Sequence, residues 1–206
     1  MTETTQHSLM SIIDKSDRAI LENDRVQNAT VIEWGKSVAL CNEYIQRDLL
    51  RYCGVKAYLP EKDVDCPTID TANNSPGFDI LVKKADGTLV RVQSKLRQVK
   101  GKTDFSHQTH FETTRRHSKK NEGSSSESGH VAYGCDEFDY VMISLVNVGK
   151  DGSVRSNRNT VDKWPFSIIP ISELRNEEKN CCVTKISAAL LEKYKYTINP
   201  ESPPSF

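Results

Sequence analysis

A β-hairpin is encoded between residues 78 and 96, where two β-compatible runs flank a tight turn. Phe78–Lys83 and Thr88–Leu96 are rich in apolar and β-branched residues, and both have the length of ordinary strands. Ala85-Asp86-Gly87 between them contains the aspartate and glycine that tight turns favour. The pattern therefore predicts two antiparallel strands joined by this turn.

Three polar residues converge at the open end of the predicted hairpin. Gln93 and Lys95, two positions apart, share one face of the second strand, whereas Val92 and Ser94 belong to the opposite, core-facing series. Counting outward from the turn pairs Asp79 with Ser94, so that Asp79 lies between Gln93 and Lys95 along the ladder. The question is whether this polar group is only a solvated face or a metal site.

Length and composition set the limits for the whole chain. The 206 residues favour a single domain spanning 1–206, and 28 basic residues balance 28 acidic ones, so attraction to a polyanion requires local clustering. No apolar run has the length of a membrane span, and the first residues, MTETTQHS, do not resemble a signal peptide. We expect a soluble cytoplasmic protein with no membrane partner. The six cysteines show no paired CxxC spacing and are interpreted as reduced thiols.

Apolar spacing predicts the other elements. Residues 9–21 favour an amphipathic helix within an N-terminal helical segment, residues 1–30, and residues 34–52 favour a longer helix that stops at Gly54. The polar tract at 121–130 predicts a flexible loop. The expected order is helix, hairpin, helix, strand, strand, helix, which is a mixed α/β domain with a central β-sheet flanked by helices. The later elements are predicted at Tyr140–Val148, Phe166–Ile171 and Ile186–Tyr194.

A basic cluster follows the hairpin. Between residues 95 and 120, eight Lys and Arg side chains stand against two carboxylates. Such a cluster can neutralise DNA phosphates even in a chain of zero net charge, and its arginines can also reach guanine bases. The alternative interpretation is a solvated helix face. The candidate DNA-binding residues are Arg97, Lys100, Lys102, Thr114, Arg115, Arg116, His117, Lys119 and Lys120.

The polar group on the hairpin has the chemistry of phosphodiester hydrolysis. The carboxylate of Asp79 and the amide oxygen of Gln93 are hard ligands suited to Mg²⁺, which binds few protein groups and keeps several waters. Lys95 beside the metal can stabilise charge that develops on a phosphate, or help to orient or deprotonate the attacking water. We therefore expect catalytic roles for Asp79, Gln93 and Lys95, the first two as metal ligands.

These residues resemble the motif of the PD-(D/E)XK nuclease superfamily. Asp79, Gln93 and Lys95 match that motif in order and spacing, whereas Phe78 stands where the motif has proline and Gln93 where it usually has a carboxylate. Some restriction endonucleases of the superfamily carry glutamine at the second position. The superfamily often has a glutamate on the helix before the hairpin, which makes Glu43 a further catalytic candidate, although it lies off the apolar stripe of its helix.

The resemblance, which spans about residues 33–175, implies a restriction-endonuclease-like core and a Type II restriction endonuclease that cuts double-stranded DNA with Mg²⁺. A palindromic recognition site would call for a homodimer, with contacts that the N-terminal helical segment could supply. Two alternatives remain open. One is a DNA-binding module that keeps the fold without cleaving, and the other is a homing or repair nuclease of the same superfamily.

Overall fold

The computed structural model describes residues 6–8, 12–27, 31–60, 62–68, 77–98, 110–112, 114–116, 130–148, 153–155, 165–183 and 185–206. Its helices are α1 (Lys15–Gln27), α2 (Val31–Tyr52) and α3 (Ala188–Lys193). Its strands are β1 (Gln6–Ser8), β2 (Lys56–Tyr58), β3 (Ile80–Lys83), β4 (Leu89–Gln98), β5 (His110–Glu112), β6 (Thr114–Arg116), β7 (His130–Ala132), β8 (Tyr140–Val148), β9 (Ser153–Arg155), β10 (Pro165–Pro170), β11 (Arg175–Asn176), β12 (Cys181–Cys182), β13 (Lys185–Ser187) and β14 (Lys195–Thr197).

The largest sheet is mixed, with the order β1-β9-β8-β4-β3-β2. β10 pairs with the first half of β8, and β14 pairs with β10. β4 and β8 run parallel, and every other pair in this sheet is antiparallel. The mixed α/β class predicted from the sequence is confirmed. None of the described helices has both the length and the apolar character needed to cross a membrane.

A hydrophobic core covers each face of the sheet. Because side chains alternate along a strand, Ile80 and Val82 of β3 face the core formed with α1 and α2, whereas Leu81 faces a second core that includes Leu191 of α3. β8 follows the same rule, since Met142 belongs to the first core and its neighbours to the second. β4 therefore lies in a sheet with both faces covered, and its polar residues Gln93 and Ser94 are buried.

A Phe-Asp dipeptide directly precedes both strands that flank β4, namely β3 and β8. Asp79 accepts the backbone N–H of Ser94 through Oδ2 at 2.8 Å, and Asp139 accepts the backbone N–H of Arg91 through Oδ2 at 2.8 Å. The Arg91 guanidinium also binds Asp139, with 2.9 Å between Nη2 and Oδ1. The middle of β4 is thus held from both sides by carboxylates as well as by its ladders.

The hairpin confirms the predicted strands and turn and corrects the predicted register. Gly87 has φ +89°, and the N–H of Lys84 donates to the carbonyl of Thr88 at 2.9 Å, which closes the turn. Ile80 pairs with Val92, so the register places Asp79 opposite Gln93. The expected pairing of Asp79 with Ser94 was wrong by one residue, because the turn is centred on Asp86 and not between Asp86 and Gly87.

Two further expectations are corrected. A helix was predicted between the hairpin and β8; the described residues of that interval include the short strands β5, β6 and β7 and no helix, and residues 99–109, 113 and 117–129 lie outside the described residues. The N-terminal helix begins at Lys15, later than the apolar spacing suggested, and buried Ile13 precedes it. The longer helix is confirmed as α2, and Gly54 follows its end with φ +78°. The predicted loop at 121–130 lies outside the described residues, except that His130 begins β7.

One buried arginine joins α1, α2 and the segment that follows β2. Arg47 of α2 has a side chain only 4 % exposed and contacts Asp17 of α1, Asp48 and Asp63. Asp63 also accepts a hydrogen bond from Arg51, whose side chain is 38 % exposed. The paired charges satisfy one another inside a region that excludes water, so the loss of one partner leaves the others uncompensated.

We expect Arg47→Met to lower the free energy of unfolding by about 3–5 kcal/mol, because three carboxylates lose their buried partner. Arg51→Met is the matched control on the same helix, and its loss should be about 1 kcal/mol or less since the ion pair is partly solvated. Urea denaturation followed by circular dichroism measures both. Equal losses in the two variants would contradict the central role of Arg47.

Candidate active site

Asp79 and Gln93 form a hydrogen-bonded pair where β3 begins beside β4. The amide nitrogen of Gln93 donates to Oδ2 of Asp79, the same oxygen that accepts the N–H of Ser94. Gln93 is buried, with 6 % exposure, and Asp79 is half-buried. Burial raises the pKa of the Asp79 carboxyl, whereas the nearby charge of Lys95 lowers it. The polar side of the hairpin is therefore not a solvated face.

Lys95 completes the predicted group on the same side of β4. Its Nζ donates to the hydroxyl of Tyr133 at 2.6 Å and lies 4.8 Å from the centroid of the tyrosine ring. Burial lowers the pKa of Lys95, and the charges of Asp79 and Glu43 act in the opposite direction. No local pattern in the sequence indicates the contact between Tyr133 and Lys95, which are 38 positions apart.

Glu43 reaches the same group from α2. Burial and then the charge of Asp79 raise the pKa of the Glu43 carboxyl to about 8, whereas the charges of Lys62 and Lys95 lower it. Its carboxylate is thus close enough to Asp79 and Lys95 for their charges to interact. Although Glu43 lies off the apolar stripe, α2 is covered over more of its circumference than that stripe indicates, and the neighbouring Asn42 also points to β4.

Two amides of α2 fix the position of β4 at the site. Asn42 donates to Oγ of Ser94 at 2.9 Å and to the carbonyl of Lys95 at 3.3 Å. Gln46, one helical turn later, donates to the same carbonyl at 3.4 Å and to Oγ of Ser144 at 3.0 Å. The parallel register between β4 and β8 shifts just beyond Leu96, so these bonds hold β4 where the regular ladder ends.

Sequence reasoning did not single out Asn42 and Gln46. The sequence does contain a signal for them, because two amide side chains stand four residues apart and therefore on one side of α2. The structure buries that side, and buried polar side chains require hydrogen-bond partners. Ser144 of β8 donates in turn to Oδ1 of Asn42 at 2.7 Å, so helix and strands share one buried network.

The candidate DNA-binding residues are only partly located by the structure. Arg97 lies in β4, and Thr114, Arg115 and Arg116 form β6, which is a strand rather than the helix face considered as the alternative. Thr114 pairs with Ala132 of β7, the residue before Tyr133. This basic strand therefore neighbours the segment that contacts Lys95. The remaining candidates lie outside the described residues: Lys100, Lys102, His117, Lys119 and Lys120.

The donor set fits a hard divalent cation with few protein ligands. Within the described part of the chain, Oδ1 of Asp79 and both oxygens of Glu43 accept no hydrogen bond, and each carboxylate has a raised pKa. A cation would relieve the cost of two neighbouring negative charges. The residues that the structure describes include no group of three or more His, Cys, Asp or Glu side chains placed to hold a metal ion. Waters and a substrate phosphate would complete the coordination, as is usual for Mg²⁺.

Comparisons with known proteins do not assign the chain to a family. No family model matches it, and no curated protein is significantly similar to it. The functional argument therefore depends on the geometry and electrostatics of the site.

We expect the stability of the protein to fall as pH rises, and Glu43→Gln to remove part of this loss. The folded-state pKa of Glu43, about 8, exceeds the ordinary value of 4.5. The stability that the protonated Glu43 carboxyl contributes is therefore fully present below pH 4.5 and is lost as pH rises through about 8. Between pH 5 and pH 8, the free energy of unfolding of Glu43→Gln should rise by at least about 1.4 kcal/mol relative to that of the wild type, the equivalent of one pKa unit.

Urea denaturation at several pH values in EDTA measures this difference. Glu22→Gln, which changes an exposed glutamate of α1, is the matched control and should follow the wild-type pH dependence. A constant difference between wild type and Glu43→Gln across this pH range would show that the Glu43 carboxyl is not buried beside another charge.

Proposed function

We propose that this protein is a Mg²⁺-dependent endonuclease that hydrolyses phosphodiester bonds at specific sites in double-stranded DNA, as Type II restriction enzymes do. One observation carries the proposal: Glu43 and Asp79, two carboxylates whose negative charges repel each other, lie with Gln93 beside the half-buried amine of Lys95. An arrangement this costly to stability is typical of a site whose charges act on a ligand.

Asp79 and Glu43 would hold the metal ion directly. Gln93 presents its amide nitrogen to Asp79 in the present conformation, and turning the amide over would direct its oxygen to the same region. When bound, Mg²⁺ would supply positive charge to the scissile phosphate and increase the acidity of a coordinated water. The replacement of a second strand carboxylate by Gln93 leaves one negative charge fewer, so Glu43 becomes more important to metal affinity.

Lys95 would act on the phosphate itself. In hydrolysis, a water oxygen forms a bond to phosphorus and loses a proton, while the bond from phosphorus to the leaving oxygen breaks and that oxygen gains a proton. Negative charge increases on the phosphoryl oxygens during this step. The Lys95 ammonium, held in a partly desolvated position, stabilises that charge more strongly than it would in water.

The described fold is compatible with the core that the PD-(D/E)XK resemblance implies. α2 precedes the hairpin and contributes Glu43, and β8 follows as the next strand of the sheet, parallel to β4. β6, with the sequence Thr-Arg-Arg, pairs with β7, which ends directly before Tyr133, and this proximity supports a role for the basic cluster in contacting DNA near the site. Cleavage of both strands of a two-fold symmetric sequence would use two copies of the chain.

A second candidate function is DNA binding without cleavage. It is favoured by Gln93, whose amide nitrogen satisfies Asp79 in the place where a second carboxylate would increase metal affinity. The basic residues near β4 and β6 serve both functions equally. The two candidate functions therefore differ only in whether the protein cleaves DNA when the metal ion is present.

We expect Asp79→Asn and Lys95→Met each to reduce cleavage of duplex DNA in Mg²⁺ by at least about a hundredfold, because the first removes a carboxylate that would hold the metal ion and the second removes a positive charge that would act on the reacting phosphate. The assay uses long DNAs of diverse sequence, resolved on gels, with EDTA as the metal-free control. Asp86→Asn, in the exposed turn of the same hairpin, is the matched variant and should cleave like the wild type.

The pattern of products distinguishes the candidates. Discrete fragments that require Mg²⁺ and Asp79 support a sequence-specific endonuclease, whereas cleavage confined to branched or damaged DNA indicates a repair enzyme. Intact DNA in every reaction, together with retained binding in a gel-shift assay, would overturn the nuclease proposal in favour of the binding module.

A further inference from the structure

We propose that Tyr133 is a positioning residue that holds the amine of Lys95 at one point in the site. This inference deepens the proposed function, because the amine must face the reacting phosphate for Lys95 to act. The contact itself, however, is a property of the folded chain and can be measured whether or not the protein cleaves DNA.

The geometry of the contact restrains a flexible side chain. Lys95 has a four-carbon chain whose end could occupy many places, yet its Nζ lies 2.6 Å from the hydroxyl oxygen of Tyr133 and 4.8 Å from the ring centroid. The hydroxyl accepts a hydrogen bond from the amine, and the ring face attracts its positive charge. Both contacts come from one residue and select one position of Nζ.

Tyr133 is itself held rigidly. It is 5 % exposed, and its ring meets that of Phe138 edge to face, with centroids 5.3 Å apart and an interplanar angle of 79°. Its carbonyl accepts the N–H of Cys182 at 2.8 Å, which ties the segment after β7 to β12. Packing in the second core therefore fixes the position of the Tyr133 hydroxyl, and the Lys95 amine binds to it there.

The test is Tyr133→Phe, which keeps the ring and its packing and removes the hydroxyl. The full-length protein is labelled with limiting acetic anhydride at about pH 8 in EDTA, and mass spectrometry of its peptides measures the rate at which Lys95 is acetylated. Exposed Lys83 of the same hairpin is the internal reference. We expect Lys95 to be acetylated roughly tenfold faster relative to Lys83 in the variant, because its amine loses the hydrogen bond that holds it against Tyr133.

Tyr140→Phe is the matched control, since the ring of Tyr140, at the start of β8, meets that of Phe206 edge to face and Tyr140 is not the partner of Lys95. It should leave the reactivity of Lys95 unchanged. An acetylation rate of Lys95 in Tyr133→Phe equal to that of the wild type would overturn the inference. Melting temperatures of the variants verify that all proteins are folded during labelling.

Cleavage provides a separate readout. If the wild type cuts DNA, Tyr133→Phe should reduce kcat at neutral pH by roughly ten- to hundredfold and leave the KM for DNA unchanged. A higher KM with an unchanged kcat would overturn the positioning role. If the wild type cuts no DNA, the proposed function fails, whereas the labelling experiment still decides whether Tyr133 positions Lys95.

Discussion

The hydrogen bond from the backbone N–H of Ser94 to the carboxylate of Asp79 is the interaction on which the site depends. It joins the residue before β3 to the middle of β4 and thereby sets which side chains of the two strands lie side by side. A slip of one residue would turn Gln93 and Lys95 to the other face of the sheet. The hydrogen bond from the backbone N–H of Arg91 to the carboxylate of Asp139 aligns β4 with β8 in the same way. Carboxylates therefore align β4 with both of its neighbouring strands.

This alignment brings together charges that would be more stable apart. The carboxyl groups of Glu43 and Asp79 have raised pKa values, and Lys95 has a lowered one, with burial as the first cause in each case. The rest of the fold must offset these costs. It does so through two apolar cores and through the buried Arg47, whose three carboxylate partners hold α1 and α2 together.

Polar side chains between α2 and the sheet connect the stable part of the molecule to the site. Asn42 and Gln46 bind the backbone of Lys95 from one side, while Tyr133 binds its side chain from the other. A purely apolar interface would pack equally well without defining the axial position of the helix. Directional hydrogen bonds define that position, and they place Glu43 beside Asp79.

The sequence by itself determined the features that depend on neighbours along the chain. Alternation along β4 put Gln93 and Lys95 on one face, the Asp86-Gly87 turn joined the two strands, and the apolar run Tyr140–Val148 became β8. These follow from local backbone geometry, which any short segment carries within itself. Even here the register was wrong by one residue, because the number of residues in a turn depends on the dihedral angles that it adopts.

Only the tertiary structure decided which distant residues meet. Glu43 is more than thirty residues from Asp79, and Tyr133 is separated by 38 positions from Lys95. A helical wheel assigned Glu43 to the wrong side because it assumed a single buried face, whereas α1 and the sheet both cover α2. Contacts between elements depend on how their surfaces pack in three dimensions, and no spacing within one segment contains that information.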